Sequence, residues 1–79
     1  MTRENWQGMP GPAGKIHVRF TRDGMAEIRP GERNTLYTAT VYSGAYRTQR
    51  AYATQDGDDL DALQTWCEAQ LAVLAGIRP

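Results

Sequence analysis

The amino-acid sequence predicts a small α+β domain, an antiparallel sheet of three to four strands with one C-terminal α-helix packed on one face. Three observations lead to this prediction. Apolar and polar residues alternate over 15–22, β-branched and aromatic residues follow one another over 35–43, and helix-capping residues bracket 59–75. The chain has 79 residues, of which only 12 are Leu, Ile, Val or Phe, so one domain with a thin core is expected.

The first 14 residues are predicted to form a flexible N-terminal arm, and residues 15–79 a single α+β domain. Regular structure in the arm is interrupted by Gly8, Pro10, Gly11, Pro12 and Gly14. The alternative is a strap that becomes ordered when Trp6 finds a pocket on this domain or on a partner.

The first predicted strand, Lys15–Arg22, alternates cleanly and is expected to be half-buried. A second strand, Met25–Pro30, follows an Asp-Gly pair and ends at a proline. A three-residue loop over 22–24, with Gly24 in the left-handed conformation, keeps the apolar residues of both strands on one face. This face is predicted to consist of Ile16, Val18, Phe20, Ala26 and Ile28.

A second hairpin is predicted from residues 35–43 and 45–53, with Ser43 and Gly44 at its turn. The sequence does not determine which face of these strands points to the core. A two-residue turn groups Tyr37, Ala39 and Val41, whereas a three-residue loop groups Leu36, Thr38, Thr40 and Tyr42.

The C-terminal helix is predicted over about 59–75, with Asp58 as its N-cap and Gly76 as a left-handed residue that ends it. An apolar stripe along this helix is expected to pack on Ile28 and on the apolar residues of the first strand. The stripe consists of Leu60, Leu63, Cys67, Leu71 and Leu74.

A second apolar ridge makes the helix surface wider than one small sheet needs. This helix ridge consists of Ala62, Trp66, Ala69 and Val73. Because a domain with a thin core gains stability when such a ridge is covered, we expect the N-terminal arm, a second copy or a target protein over Trp66. A two-fold homodimer is the self-association that the helix ridge predicts.

No catalytic residues, metal ligands or cofactors are predicted. Nucleophilic catalysis needs a base beside Ser, Cys or Thr, and this chain has a single histidine, His17, and a single cysteine, Cys67. Cys67 falls in the apolar stripe, where a buried and inert thiol is expected. The two residues are also too few for a zinc site built from His and Cys. We therefore expect a chain that is not an enzyme.

Four carboxylates cluster around the start of the helix: Asp56, Asp58, Asp59 and Asp61. Helix capping accounts for much of this cluster. Contact with a basic protein partner is the second interpretation, and a bound cation is the third. The charge of the chain is uneven as well, with eight cations and four carboxylates over 1–50 but one cation and five carboxylates over 51–79. The cluster is the leading candidate for partner binding.

A face of the sheet that combines Tyr and Arg is the alternative binding surface. It would consist of Tyr46, Arg47, Arg50 and Tyr52. Such side chains stack on single-stranded nucleic acids, and they are also enriched in protein-binding hot spots. A small single-stranded nucleic-acid-binding domain is therefore the alternative function.

No membrane partner is expected. The sequence has no apolar run near the roughly 20 residues of a membrane span, and its N-terminus lacks the apolar stretch of a secretory signal.

The order of the predicted elements resembles small type I anti-CRISPR proteins of phages and mobile elements. The residues that carry the resemblance are the hairpin Arg22-Asp23-Gly24 and the run DDLDALQTW at Asp58–Trp66, within a pattern over Lys15–Leu74. The resemblance implies a stoichiometric inhibitor that binds a Cas subunit of a type I surveillance complex (Cascade) and blocks target DNA binding. Such inhibitors often present carboxylates to a basic DNA-binding surface. The resemblance also implies a phage protein that acts in the host bacterial cytoplasm.

Overall fold

The computed structural model describes residues 5–31, 34–44 and 50–77, which form one antiparallel sheet with one α-helix across it. The strands lie side by side in chain order. The elements are β1 (Gln7–Gly11), β2 (Gly14–Phe20), β3 (Gly24–Pro30), β4 (Tyr37–Ser43), β5 (Arg50–Gly57) and α1 (Leu60–Ile77). The predicted α+β class and C-terminal helix are confirmed, with five strands in place of the predicted three to four.

The additional strand lies in the segment that was predicted to be a flexible arm. β1 pairs with β2 along its whole length, so the prediction of a flexible arm is wrong over Gln7–Gly11. Pro10 is tolerated there because β1 is an edge strand of the sheet. Gly14 has a φ of 136°, a conformation that L side chains rarely adopt, and this allows the tight reversal between the two strands.

The hairpin between β2 and β3 turns at Arg22 and Asp23, and Gly24 is the first residue of β3. The hydroxyl of Thr21 stabilises this turn. Its oxygen accepts hydrogen bonds from the N–H groups of Asp23 and Gly24 at 3.3 and 3.1 Å, and it donates to the Gly24 carbonyl at 2.8 Å. Gly24 does not have a positive φ. The predicted three-residue loop with a left-handed Gly24 is therefore wrong.

This turn also places each side chain of β2 on the opposite face of the sheet from the one predicted. Val18 pairs with Glu27 and Phe20 with Met25, so Ile16, Val18 and Phe20 lie on the sheet face away from α1, contrary to the prediction. The helix packs on β3, β4 and β5. Because β2 lies beside the area that the helix covers, its positions on the helix side need not be apolar.

The core lies between α1 and the central strands. Ala26 pairs with Val41, and Ile28 pairs with Ala39. The inward face of β4 is therefore the one that carries Tyr37, Ala39 and Val41. The buried cluster consists of Ala26, Ile28, Ala39, Val41, Leu63, Cys67, Leu71 and Leu74. The predicted helix stripe is confirmed, with Leu60 packed against the cluster as a partly buried residue.

Both ends of α1 differ from the prediction. Asp59, and not Asp58, caps the helix, because its Oδ1 accepts a hydrogen bond from the N–H of Ala62 at 3.3 Å. At the other end, α1 continues through Gly76 to Ile77, and Gly76 does not have a positive φ. Apart from its chain neighbours and the backbone of α1, no described atom lies within 4 Å of the position that a Cβ on Gly76 would take.

β5 ends four residues later than the predicted strand over 45–53, at Gly57 opposite Tyr37. Residues 45–49 lie outside the part of the chain that the structure describes. The pairing shifts between Val41 and Tyr42, which leaves Tyr52 as the extra residue of a β-bulge. As a result, Asp56 belongs to β5 and lies close to the start of α1.

Candidate functional site

The four predicted carboxylates lie along the segment where β5 leads into α1. We call this the acidic surface; it consists of Asp56, Asp58, Asp59 and Asp61. Asp56 is on β5, Asp58 and Asp59 are in the connection, and Asp61 is in the first turn of the helix. All four residues are exposed. All four predicted carboxylates are therefore accessible, with Asp56 beside Thr38 on the sheet face away from α1 and the other three at or just before the start of the helix.

Hydrogen bonds hold two of these carboxylates against β4 and the loop before it. Asp56 Oδ1 accepts from the Thr38 hydroxyl at 2.7 Å. Asp58 Oδ1 accepts from the N–H of Leu36 at 2.8 Å, across 22 residues of sequence. Asp59 is held by its capping bond to α1. Carboxylates that are already positioned lose less conformational entropy when a partner binds.

Three carboxylates of the acidic surface lie outside the ion pairs that join described residues. Among the described residues, the ion pairs join Arg19 to Glu68 and Arg29 to Glu27, and neither involves Asp56, Asp58 or Asp59. The first turn of α1 contributes the partial positive charge of a helix N-terminus, which moderates the repulsion between neighbouring carboxylates.

The acidic surface does not form a metal site among the described residues. Within residues 5–31, 34–44 and 50–77, no group of three or more His, Cys, Asp or Glu side chains is placed so that it could hold a metal ion. Asp56, Asp58 and Asp59 instead accept hydrogen bonds from a hydroxyl or a backbone N–H.

The alternative Tyr and Arg face is described only in part. Tyr46 and Arg47 lie outside the described residues. Arg50 and Tyr52 are on the edge strand β5, where both are exposed, Tyr52 to 41%. Tyr52 is the bulge residue, so the regular alternation that would align it with Arg50 on one face is interrupted.

The helix ridge is less uniform than the sequence predicts. Ala62, Ala69 and Val73 are exposed, Val73 to 47%. Trp66, its largest member, is half-buried and packs against the core cluster. The ridge that remains in solvent therefore consists mainly of small side chains.

A network that the sequence did not predict connects the N-terminal segment to the helix. The indole N–H of Trp6 donates to Glu68 Oε2 at 2.9 Å, and Arg19 Nε donates to Glu68 Oε1 at 3.0 Å. Trp6 also packs against the core cluster, which confirms the alternative of a strap anchored by Trp6. Trp6 and Met9, the large apolar residues of a Gly- and Pro-rich segment, are the sequence signal for an anchoring contact.

Cys67 has no features of a nucleophile. It is fully buried in the core, and burial, together with the adjacent Glu68 carboxylate, raises the pKa of its thiol to about 12. A thiol with this pKa is protonated at neutral pH.

Partial burial, and then the positive charge of Lys15, lower the pKa of His17 below its ordinary value of 6.5.

In the described part of the chain, no helix is both long enough and apolar enough to span a membrane.

Comparisons with protein-family models, with curated proteins and with solved structures find no match to this chain. The site is therefore interpreted from its own residues.

Proposed function

We propose that this chain is a non-catalytic inhibitor that binds a basic protein surface through its acidic surface. The observation that carries the proposal is the exposed set of carboxylates held in place by Thr38, by the Leu36 N–H and by the start of α1. Surfaces that bind nucleic acid present Arg and Lys to phosphate groups. Carboxylates held at the surface of this chain would pair with the same cations and exclude the nucleic acid.

The resemblance of the sequence to type I anti-CRISPR proteins suggests the identity of the partner. A Cas subunit of a type I surveillance complex that contacts target DNA has a basic surface of the required kind. Inhibition would be stoichiometric, because the chain would occupy the DNA-binding surface and would not modify it. In this proposal the protein acts in the host bacterial cytoplasm, where the surveillance complex operates.

The test is a competition between the purified chain and target DNA for a type I surveillance complex. We expect the chain to prevent DNA binding at near-equimolar ratio, with an apparent affinity that falls as salt is raised. In the double variant Asp56→Asn and Asp58→Asn, the side-chain acceptors remain while both charges are removed. This variant should lose at least tenfold in inhibition.

The matched control removes two carboxylates elsewhere, with Asp23→Asn and Glu27→Gln. It should inhibit as the parent does. Equal loss in both double variants would show that net charge, and not the acidic surface, matters. Salt-sensitive binding of the free chain to single-stranded DNA or RNA, without binding to the surveillance complex, would overturn the proposal and favour the alternative function.

A further inference from the structure

The two edges of the sheet differ in their capacity to accept another strand. β1 forms one edge and β5 forms the other. Pro10 lies in β1, and because proline has no N–H, this edge lacks a donor that an added strand would need. β5 contains no proline and no lysine, two residue types that commonly protect an edge. Since no described strand pairs with its outer side, β5 is the accessible edge.

A hydrogen bond beside β4 shows which backbone groups of β5 are already used. The N–H of Gly31 donates to the Leu36 carbonyl at 2.9 Å, so these residues form a bonded pair next to β3 and β4. Bonded and non-bonded residues alternate along an antiparallel pair, so Ala39, three residues further, directs its N–H and C=O groups to β5. Its partner there is Gln55. Gln55 therefore uses its own N–H and C=O groups for β4.

The backbone groups of Thr54 and Asp56, on either side of Gln55, point away from β4 by the same alternation. Both residues are exposed, so an added strand can reach the N–H and the C=O group of each. The bulge at Tyr52 limits the regular part of this edge to residues 53–57. We call this stretch the outer edge.

The outer edge lies beside negative charge. Asp56 belongs to it, Asp58 and Asp59 follow it in the chain, and all three residues are exposed. A second copy that paired through the same edge would bring like charges together, which destabilises a strand pair. A segment with Lys or Arg would instead place opposite charges beside these carboxylates. The occupant that fits is an extended basic segment of another protein.

We infer that the outer edge binds an extended basic segment of the partner protein, which joins the sheet next to β5. Main-chain hydrogen bonds to Thr54 and Asp56 hold this segment, and its cations contact the acidic surface. The inference rests on the proposed function, because the partner is the same basic protein. It goes further in assigning part of the binding to backbone groups of β5.

The test is the competition with target DNA for the surveillance complex, repeated with a proline variant. Thr54→Pro removes an outward N–H and leaves the bonds between β4 and β5 in place, as proline on an edge strand allows. It should weaken inhibition at least tenfold, because the added segment loses a hydrogen bond and the ring blocks its approach.

The matched control is Gly8→Pro, which introduces the same ring at the other edge of the sheet. Gly8 lies two residues before Pro10, so its N–H has the same outward direction as the position that already tolerates proline. This variant should inhibit as the parent does. Circular dichroism checks that both proline variants are folded.

A second measurement uses the unaltered chain and decides the question even if Thr54→Pro does not fold. Amide hydrogen exchange, resolved to single residues by fragmentation in a mass spectrometer, should become slower at Thr54 and Asp56 when the chain is bound to the surveillance complex. Gln55 is already bonded to β4, so its exchange should change less. Unchanged exchange at Thr54 and Asp56 would overturn the inference.

The outcomes separate the inference from the proposed function. If Thr54→Pro inhibits as the parent does, while the double variant Asp56→Asn and Asp58→Asn has lost inhibition, only the inference is overturned. A parent chain that does not bind the surveillance complex would overturn both. A dimer of the free chain in light scattering that Thr54→Pro dissociates would place a second copy on the outer edge, and this too would overturn the inference.

Discussion

Trp6 donates its indole N–H to Glu68 across 62 residues of sequence, at 2.9 Å, and so connects the N-terminal segment to the middle of α1. The second oxygen of the same carboxylate accepts from Arg19 on β2. Since α1 packs on β3, β4 and β5, Glu68 provides a link from the helix to the two strands that it does not cover. Glu68 thus adds a side-chain connection to the backbone pairing that already holds β1 to β2 and β2 to β3.

Replacing Trp6 with Phe should destabilise the protein by about 1–2 kcal/mol, because it removes the hydrogen bond to a charged acceptor while keeping an aromatic ring. The loss should be concentrated in β1. Urea unfolding gives the total effect, and amide hydrogen exchange shows where it acts. Glu27→Gln, which affects a carboxylate on the other face, is the control. Unchanged exchange rates in β1 of the Trp6 variant would contradict this role of the bond.

Gly24 should not tolerate a side chain, whereas Gly76 should. A Cβ on Gly24 would clash with the backbone oxygen of Tyr42 in the neighbouring strand. Gly24→Ala should therefore cost about 1–3 kcal/mol through displacement of β3 from β4. Gly76 lies inside α1 with open space around it, so Gly76→Ala should stabilise the helix by up to about 1 kcal/mol. Thermal unfolding of the two variants tests both predictions. Equal changes in stability for Gly24→Ala and Gly76→Ala would contradict the close approach at Gly24.

The differences between the predicted and observed faces come from one turn. The alternation of Ile16, Val18 and Phe20 correctly predicted a strand, but alternation does not indicate which face is covered. A register that keeps the apolar residues of both strands together predicts a three-residue loop. In the structure, Thr21 stabilises a turn at Arg22 and Asp23 that gives the other register. A small helix covers only part of a five-stranded sheet, so grouping all apolar residues on one face was not required.

The candidate site was predictable to the extent that it is local. The four carboxylates of the acidic surface lie within six residues of sequence, and capping chemistry alone places them near the start of a helix. Their partners are distant, as the bond from the Leu36 N–H to Asp58 illustrates. The large apolar Trp6 in a Gly- and Pro-rich segment indicates an anchoring contact, but nothing local indicates Glu68 as its partner, because that contact depends on β1 joining the sheet.

Cys67 should resist thiol reagents in the folded protein. It is fully buried, and its pKa of about 12 keeps the thiol protonated at neutral pH. We expect a disulfide-exchange reagent to modify the protein only at the rate at which it unfolds, and to react rapidly in denaturant. The solution mass should be the same with and without reductant. Rapid modification under native conditions, or a dimer that disappears with reductant, would show that this thiol is accessible.

The stability of the protein should fall when the pH is lowered through the titration range of His17. Partial burial, and then Lys15, hold the pKa of His17 below its ordinary value of 6.5 in the folded state. As the pH falls below about 6.5, the unfolded chain takes up a proton before the folded chain does, which favours unfolding. Above this range the histidine is neutral in both states and has no such effect.

The measurement is the urea midpoint at pH 7.5 and at pH 5.5, which is still above the ordinary range of carboxylates. The parent should have a lower midpoint at pH 5.5. His17→Gln, which cannot take up the proton, should show a smaller decrease. Titration of the ring protons by NMR gives the pKa of the folded state directly. A value at or above 6.5, or an equal decrease in the variant, would contradict the partial burial of His17 as the cause.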